Sequence, residues 1–380
     1  MNPMDLPLKS MTRARYVMIG GFLGAGKTTA VSKLARHLSD QKMRVGLITN
    51  DQGRGLVDTA MLRSHGFATE EIPGGCFCCR FNSLVEAAEK LSAETRPDVF
   101  IAEPVGSCTD LVATVSYPLR RIYGQEFQVA PLTVLIDPLR ALRIFGLEPG
   151  HAFSPKVLYI YRKQLEEADL IVINKLDLVD AVALARLEEV LRKNFPKAWI
   201  HAISARSGAG MAEWFERIFS AEPSGGSSME VDYEVYAEGE ALLGWLNATV
   251  RIESDGDFDG NEFLRGLARR MQEAMRSGGG EVAHLKMTLE PDESLGDLAV
   301  INLVRNESAA EMSHELSEPL SAGVVLINAR AEMDPVLLEA CLRGALEGAG
   351  REFSVRMTLR HSEHFRPGKP TPTHRLATFS

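Results

Sequence analysis

Three cysteines within four residues give this sequence its densest group of candidate metal ligands. Cys76, Cys78 and Cys79 form a Cys-x-Cys-Cys run directly after two glycines. Thiolates bind Zn²⁺, Cu⁺ and other soft or borderline ions. Three ligands leave a fourth position open, which suits transfer of a metal better than permanent structural binding. Because the thiols must lose protons to bind a metal, affinity is expected to rise with pH.

Two other interpretations of the cysteine run stay open. Neighbouring thiols can oxidise, so the run also fits a redox site. A buried cysteine can be a small hydrophobic residue, but three within four residues beside Gly74 and Gly75 are hard to explain in that way. A disulfide framework would spread the cysteines along the chain, so the clustering favours a reducing cytoplasm. Cys108 and Cys341 stand apart and are interpreted as bystanders.

A phosphate-binding motif lies upstream of the cysteines. The segment 21–28 fits G-x-x-x-x-G-K-T, with an apolar run before it and a helical pattern after it. Glycines let backbone N–H groups converge on a phosphate, and the helix N-terminus adds its positive dipole. In such a loop the lysine bridges the β- and γ-phosphates and the threonine ligates Mg²⁺. The predicted phosphate-binding residues are Gly21, Gly24, Ala25, Gly26, Lys27, Thr28 and Thr29.

Two acidic residues near strand ends are candidates to complete the Mg²⁺ site. Glu103 directly follows the strand Val99–Ala102 and is expected to hold Mg²⁺ through water. Asp51 comes after a strand that ends at Asn50. Either acid could instead cap a helix or lie in a solvated loop. The predicted catalytic residues are Lys27, Thr28, Glu103 and Asp51.

A guanine-reading run, Asn-Lys-Leu-Asp, follows a later apolar strand. Asp177 is expected to accept from guanine N1–H and N2–H₂, which adenine lacks, and this gives roughly tens- to hundreds-fold selectivity. Asn174 is expected to support the loop or the base edge, and the Lys175 stem to pack along the nucleoside. Ser204 and Ala205 could place a backbone N–H on guanine O6.

Short apolar runs separated by helical stretches dominate the first 220 residues. Continuous apolar runs are typical of a mostly parallel sheet that is covered by helices on both faces. The sequence therefore predicts an α/β P-loop GTPase domain over residues 1–220. Its expected strands are Arg15–Ile19, Val45–Ile48, Val99–Ala102, Leu132–Ile136, Leu170–Ile173 and Ile200–Ile203.

A different pattern follows a predicted linker at 221–232, which is rich in serine and glycine. Residues 233–380 are predicted to form a smaller α+β domain, ferredoxin-like in arrangement, with an extended tail. Its expected helices are Asn261–Met275 and Pro335–Leu346, and its expected strands are Ala248–Glu253, Val282–Leu289, Leu298–Val304, Val324–Ala329 and Phe353–Leu359.

The overall composition argues against several classes of function. The 380 residues carry a net charge of −9, so they give no electrostatic footprint for binding nucleic acid or an anionic membrane. No apolar run approaches the roughly 18 residues of a membrane span, and the first 16 residues lack the apolar core of a secretory signal. A cytoplasmic protein is expected.

The phosphate loop, the cysteine run and the segment Gln164–Asp177 together resemble the CobW family of P-loop GTPases, which is related to the urease and hydrogenase nickel-insertion GTPases. The resemblance covers roughly residues 15–219. It implies GTP hydrolysis with Mg²⁺, binding of Zn²⁺ or Co²⁺ at the cysteines, and delivery of that metal to a client metalloenzyme. By analogy, a nucleotide-dependent homodimer is expected.

The sequence departs from the family pattern in three places. Arg54 replaces an acid in the run after the second strand, although Asp51 keeps a carboxylate. The linker lacks the histidine-rich loop of many members, so metal storage is unsupported. The tail at 368–375 does not match the family pattern. The histidines near it, His361, His364 and His374, are interpreted as exposed, with assistance in metal acquisition or contact with the nucleotide domain as alternatives.

Three other functions stay open. The chain could be a GTP-dependent chaperone of a cobalamin enzyme, with structural or sensory cysteines. It could be a zinc-sensing module without productive turnover. A kinase or ligase that uses ATP is a third reading, and the guanine-reading run argues against it.

Overall fold

The computed structural model describes residues 13–51, 62, 66–150, 153–223, 228–292 and 297–378, which form one parallel and one antiparallel sheet. The parallel sheet has the order β3-β2-β4-β1-β6-β7-β8, and β5 also pairs with β1. These strands are β1 (Ala14–Gly21), β2 (Val45–Asp51), β3 (Ala68–Pro73), β4 (Val99–Glu103), β5 (Phe127–Val129), β6 (Thr133–Ile136), β7 (Leu170–Ile173) and β8 (Trp199–Ala202).

The central strand β1 explains why the apolar runs are continuous. Tyr16 and Met18 belong to one hydrophobic core, whereas Val17 and Ile19 belong to a second. Successive side chains of a strand point to opposite faces, so both faces of the sheet are buried. The helices of this part are α1 (Lys27–Asp40), α2 (Phe81–Glu94), α3 (Tyr117–Ile122), α4 (Pro138–Ile144), α5 (Pro155–Glu166), α6 (Ala181–Asn194), α7 (Met211–Ser220) and α8 (Tyr233–Leu242).

The second sheet is antiparallel and has the order β12-β11-β10-β13-β9-β14. Four of its strands and two helices follow the β-α-β-β-α-β order of ferredoxin-like domains, with β11 and β12 added at one edge. The elements are β9 (Leu243–Phe258), α9 (Gly260–Ser277), β10 (Glu281–Pro291), β11 (Ala299–Leu303), β12 (Glu311–His314), β13 (Leu320–Glu332), α10 (Pro335–Phe353) and β14 (Arg356–Phe365).

The predicted fold class is confirmed, but several predicted element boundaries were wrong, and two of them have clear physical reasons. β9 extends to Phe258 because its polar end pairs with β13, and an exposed polar extension leaves no apolar run to detect. Phe353 ends α10 and packs on Phe263 of α9, so the last strand begins later than predicted. The predicted domain boundaries stay predictions. Within the described residues, no helix is long and apolar enough to cross a membrane.

Helix α8 joins the two sheets. It leads directly into β9 and packs on α5 of the first part. The two helices approach so closely that a Cβ atom at Gly239 would lie 2.4 Å from the carbonyl oxygen of Lys156. This contact holds the second sheet against the carboxyl edge of the first.

Candidate functional site

The phosphate loop connects β1 to α1 across the carboxyl edge of the parallel sheet. Gly26 caps α1 with φ of 87°, and a Cβ atom there would lie 2.4 Å from the Nδ2 of Asn174. Lys27 Nζ donates to the carbonyl oxygen of Gly21 at 3.0 Å, so the ammonium group lies over the loop. A glycine-rich loop with a lysine in this position can bind a phosphate chain.

The residues predicted to hold Mg²⁺ meet beside the phosphate loop. Thr28 Oγ1 donates to Glu103 Oε1 at 3.0 Å, and both side chains are buried. A hydroxyl and a carboxylate are hard oxygen donors of the kind that Mg²⁺ prefers, so this pair fits the ion. Asp51 ends β2, but its side chain and all of Arg54 lie outside the described residues.

The guanine-reading run is tied to the phosphate loop by its own side chains. Asn174 donates to the carbonyl oxygen of Ala25 at 2.9 Å and accepts from the backbone N–H of Ala205 at 3.0 Å. Asp177 accepts from the hydroxyl of Ser204, which holds the carboxylate in place. Asn174 therefore supports the loop, one of the two roles predicted for it.

The backbone N–H groups expected at guanine O6 are both engaged. Ser204 N donates to the carbonyl oxygen of Ala209 at 2.9 Å, and Ala205 N donates to Asn174. Contact with O6 would require one of them to exchange partners. Lys175 Nζ donates to the carbonyl oxygen of Gly24 at 2.8 Å, which places its stem along the loop.

A buried carboxylate that the sequence reasoning missed joins both halves of the site. Asp137 follows β6 and forms ion pairs with Lys175 at 2.8 Å and with Arg305 of the second sheet domain at 3.0 Å. Burial alone would raise the pKa of Asp137, but Lys175, Arg305 and Arg140 lower it to about 2. Its position after an apolar strand, like that of Glu103, was the signal available in the sequence.

The second sheet domain closes over this edge. Arg140 of α4 is buried and donates to the carbonyl oxygens of Leu23 at 2.9 Å and Ala283 at 3.1 Å. A cavity of about 700 Å³ lies between the two sheets, with walls from the phosphate loop, the guanine-reading run and the second sheet domain. This is the size range of ligand sites, and positive side chains from the second sheet domain line it, namely Lys286, Arg305 and Arg330.

The three predicted metal ligands converge at the start of α2. The Cys76 and Cys78 sulfurs are 2.7 Å apart, Cys76 and Cys79 are 3.2 Å apart, and Cys78 and Cys79 are 3.6 Å apart. Cys76 and Cys78 are buried and Cys79 is half-buried. Hydrogen bonds from Cys108, Cys78 and Cys79 hold the pKa of Cys76 well below its usual value. The group can therefore supply at least one thiolate to a metal.

Cys108 is buried in the same hydrophobic core as Cys76 and Cys78. It lies outside the group of three sulfurs, so its interpretation as a bystander stays a prediction. Cys108 is 32 positions from Cys76 in the sequence, so only the pairing of β4 beside β2 brings the two loops together. Cys341 lies on α10 of the second domain, packed at the edge of that domain's own core.

One side chain connects the nucleotide cavity with the cysteine run. Asn50, at the end of β2, lines the cavity. Its Nδ2 donates to the carbonyl oxygens of Ile72 at 2.8 Å and Gly75 at 2.6 Å. Gly75 directly precedes Cys76, so a displacement of β2 at the cavity would reach the cluster.

The C-terminal segment, residues 366–378, crosses the cysteine cluster. The backbone N–H of Thr371 donates to Cys79 Sγ at 3.2 Å, and Arg375 donates to the buried carboxylate of Asp110 at 2.7 Å. These bonds join the end of the chain to the loop beyond Cys108. Sequence reasoning predicted an extended tail but had no signal for this docking.

The tail histidines take different positions. His364 lies on β14 with Nδ1 3.6 Å from a carboxylate oxygen of Glu339. His374 stacks edge-on against Phe81 of α2, with ring centroids 5.0 Å apart. His374 thus contacts the nucleotide domain, one of the alternatives considered above.

The first part of the chain is similar to known proteins. The profile of the CobW/HypB/UreG nucleotide-binding domain matches residues 15–202, from β1 through β8. Residues 15–202 belong to the CobW/HypB/UreG family. The match includes the phosphate loop, the cysteine run and the guanine-reading run, so the predicted family resemblance is confirmed.

Individual relatives of this CobW/HypB/UreG domain cover part of the chain. "Zinc chaperone CobW" of Pseudomonas aeruginosa is 27% identical over 51% of this chain and 57% of its own length. "Zinc chaperone CobW" of a Sinorhizobium species is 33% identical over 45% of this chain and 53% of its own length. The chain thus spans about half the length of the curated relatives it matches. Zn(II)-bound YjiA GTPase from Escherichia coli is 16% identical, with a TM-score of 0.38 over 89% of this chain and 99% of that chain.

Proposed function

We propose that this protein is a GTP-hydrolysing metallochaperone that binds Zn²⁺ or Co²⁺ at Cys76, Cys78 and Cys79 and delivers it to a client metalloenzyme. One observation carries the proposal. Three sulfurs lie within 4.8 Å of one another in the same domain as a P-loop and a guanine-reading run. The names of the curated relatives, zinc chaperones, support zinc as the cargo.

Each part of the nucleotide site has a separate task in hydrolysis. Lys27 and the loop N–H groups bind the phosphates, and Asp177 selects guanine. Thr28 and Glu103 would hold Mg²⁺, which neutralises charge on the phosphates when it is bound. Hydrolysis then needs positioning of water and little covalent chemistry from the protein, so intrinsic turnover is expected to be slow without a partner.

The cysteine cluster and the nucleotide are expected to influence each other. One connection leaves the nucleotide edge and reaches the cluster, through the hydrogen bond from Asn50 to the carbonyl oxygen of Gly75. If nucleotide changes metal affinity by some factor, metal must change nucleotide affinity by the same factor. To switch the metal site from almost full to almost empty, the metal-binding free energy would have to differ by about 5.5 kcal/mol between the two nucleotide states.

Zinc affinity is therefore expected to differ by about fivefold or more between protein with a nonhydrolysable GTP analogue and nucleotide-free protein. Isothermal titration with a competing chelator, at matched Mg²⁺ and with thiols reduced, measures both constants. The Lys27→Ala variant is the control, because loss of phosphate binding should make the two constants equal. Identical zinc dissociation constants in the unsubstituted protein would refute the coupling. Absence of GTP hydrolysis with metal and client present would favour the zinc-sensing alternative.

The C-terminal segment gives a second prediction. Truncation after Pro370 should accelerate removal of bound metal by a bulky chelator several-fold. The truncation uncovers the cluster and removes the N–H donor to Cys79, and both changes should make release of the metal faster. Stopped-flow mixing with a chromogenic chelator measures the rate.

A single substitution separates the two effects of that segment. Thr371→Pro removes the N–H donor while keeping the covering chain, which already has proline on both sides of this position. This variant should release metal at a rate between those of the full chain and the truncated chain. Equal rates for the full and truncated chains would show that the segment does not shield the cluster.

The client and a nucleotide-dependent homodimer remain part of the proposal. Capture of cellular proteins on protein locked with the GTP analogue, followed by metal analysis of the captured material, identifies a client. Sedimentation of the GDP-bound and analogue-bound forms measures dimer formation. Capture of a corrinoid protein without metal transfer would favour the cobalamin-enzyme alternative.

A further inference from the structure

The antiparallel sheet turns two cations toward the nucleotide cavity. Leu285 and Met287 of β10 and Ala329 of β13 belong to the core that this sheet shares with its helices. Because side chains alternate along a strand, Lys286 and Arg330 point to the opposite face. Both of these side chains line the cavity, and both are buried. Two buried cations thus face the carboxyl edge of the parallel sheet.

The antiparallel sheet crosses the nucleotide site from the guanine end to the Mg²⁺ end. Its edge strand β12 lies at the guanine end, because Glu311 forms an ion pair with Arg206, the residue after Ala205. Strand β10 lies further along the sheet and crosses the phosphate loop. A Cβ atom at Gly24 of that loop would lie 3.2 Å from the carbonyl oxygen of Ala283.

The next strands of the sheet lie at the Mg²⁺ end. Helix α8, which leads directly into β9, is joined to the loop after Glu103 by the hydrogen bond from Ser107 to Glu240 at 2.5 Å. Strand β13 lies between β10 and β9. Lys286 and Arg330 therefore lie on the part of the sheet that spans from the phosphate loop to the loop after Glu103. The terminal phosphate of a nucleoside triphosphate is expected there.

We propose that Lys286 and Arg330 bind the terminal phosphate of GTP and neutralise the charge that develops on it during hydrolysis, an inference that rests on the proposed GTPase function. Arg330 is held in position by its surroundings. Its Cζ lies 4.0 Å from the centroid of the Trp245 ring, and its Nη1 donates to the carbonyl oxygen of Leu246 at 2.9 Å. A cation that is fixed before the reaction stabilises charge in the transition state without reorganisation.

The reaction transfers the terminal phosphoryl group of GTP to water. The water oxygen forms a bond to the γ-phosphorus, and the bond from that phosphorus to the β–γ bridging oxygen breaks, with its electron pair kept by GDP. One proton of the water stays on inorganic phosphate and the other goes to solvent. A cation supplied to this transition state raises the rate by roughly 10³–10⁵-fold in related phosphoryl transfers. Here the second domain supplies two cations within the same chain.

The third cation of this wall has a different role. Arg305 pairs with Asp137 at 3.0 Å and donates to the hydroxyl of Ser308 at 2.7 Å, so it joins the two domains. Among the described residues that line the cavity, cations outnumber carboxylates. The cavity as a whole therefore favours a polyanion, and Lys286 and Arg330 are the cations of the sheet that lie toward its Mg²⁺ end.

Comparison of GTP and GDP binding separates a contact with the terminal phosphate from a general role in the fold. Lys286→Gln and Arg330→Gln should each weaken binding of a nonhydrolysable GTP analogue by about tenfold, because a hydrogen bond to a charged group is lost. GDP affinity should stay unchanged, because GDP lacks the terminal phosphate. Single-turnover hydrolysis of GTP should slow by about 100-fold. Lys286→Arg keeps the charge and should retain most of the affinity for the analogue. Isothermal titration with Mg²⁺ present measures the affinities.

Arg251→Gln is the matched control. Arg251 belongs to β9 of the same sheet and forms a surface ion pair with Asp292, so its substitution should change neither affinity. Full retention of analogue affinity and rate in Lys286→Gln or Arg330→Gln would overturn the assignment of that residue, while the GTPase function stands. Equal losses of analogue and GDP affinity would show that the residue acts only through the fold, which also overturns its assignment. If the unsubstituted protein binds no GTP analogue, the proposed function fails as well.

Discussion

Asp177→Asn is expected to lower GTP affinity by about 100-fold and to create affinity for xanthosine triphosphate. The carboxylate of Asp177 can accept two hydrogen bonds from the N1–H and N2–H₂ groups of guanine. Xanthine carries a carbonyl oxygen in place of that amino group, so the amide of asparagine can donate to it. The remaining oxygen of asparagine can still accept from the hydroxyl of Ser204, which keeps the side chain in position.

Competition binding with fluorescent nucleotide analogues measures this exchange of preference. Asp180→Asn is the matched control, because Asp180 is three residues away and caps α6 through the backbone N–H of Ala183. It should keep the preference for GTP. Retained GTP affinity in the Asp177 variant, or ATP outcompeting GTP in the unsubstituted protein, would contradict the assignment of Asp177 to the base.

Asp137→Ala is expected to destabilise the protein by about 3–5 kcal/mol. The substitution would leave three cations, Lys175, Arg305 and Arg140, around a site without its anion. Arg305 and Asp137 are both almost fully buried, so water cannot replace the lost partner. Urea denaturation followed by tryptophan fluorescence measures the change.

Control variants separate the stability that Asp137 contributes through its ion pairs from the stability that it contributes as a helix cap. Asp137 caps α4 through the backbone N–H of Arg140 at 2.9 Å, and Asp180 caps α6 in the same way at 2.8 Å. Asp180→Ala should cost only about 1 kcal/mol, the usual value of a cap. Asp137→Asn should lose most of the free energy lost by Asp137→Ala, because the charge is removed while a capping oxygen remains. Equal losses in the two alanine variants would show that the ion pairs contribute little.

The same carboxylate predicts a dependence of stability on pH. The pKa of Asp137 is lowered to about 2 in the folded protein, below its usual value of 3.8. A folded pKa below the unfolded one gives stability that is fully present above pH ~4 and lost as the pH falls toward ~2, amounting to about 2 kcal/mol. Asp137→Asn should therefore flatten the change in unfolding free energy across that window.

The sequence predicted the parallel sheet and the motifs on its carboxyl edge because both depend on local patterns. Continuous apolar runs mark strands buried on both faces, and a glycine-rich loop before a helix marks a phosphate site. The spacing of one or two residues between the three clustered cysteines likewise predicts that their sulfurs lie close together. Each of these signals lies within about ten consecutive residues, so no knowledge of distant contacts was needed.

Tertiary structure alone decided which distant residues join those motifs. Asn50 reaches the carbonyl oxygen of Gly75 because β3 lies beside β2, and Arg305 reaches Asp137 because the second sheet domain closes over the carboxyl edge of the first. Thr371 meets Cys79 after the chain has passed through the whole second domain. These contacts join segments tens to hundreds of residues apart, and no periodicity or spacing in a single sequence encodes such a meeting. The sequence by itself thus determined a nucleotide site and a three-sulfur cluster, whereas folding brought in the buried anion beside the nucleotide site and the segment that crosses the cluster.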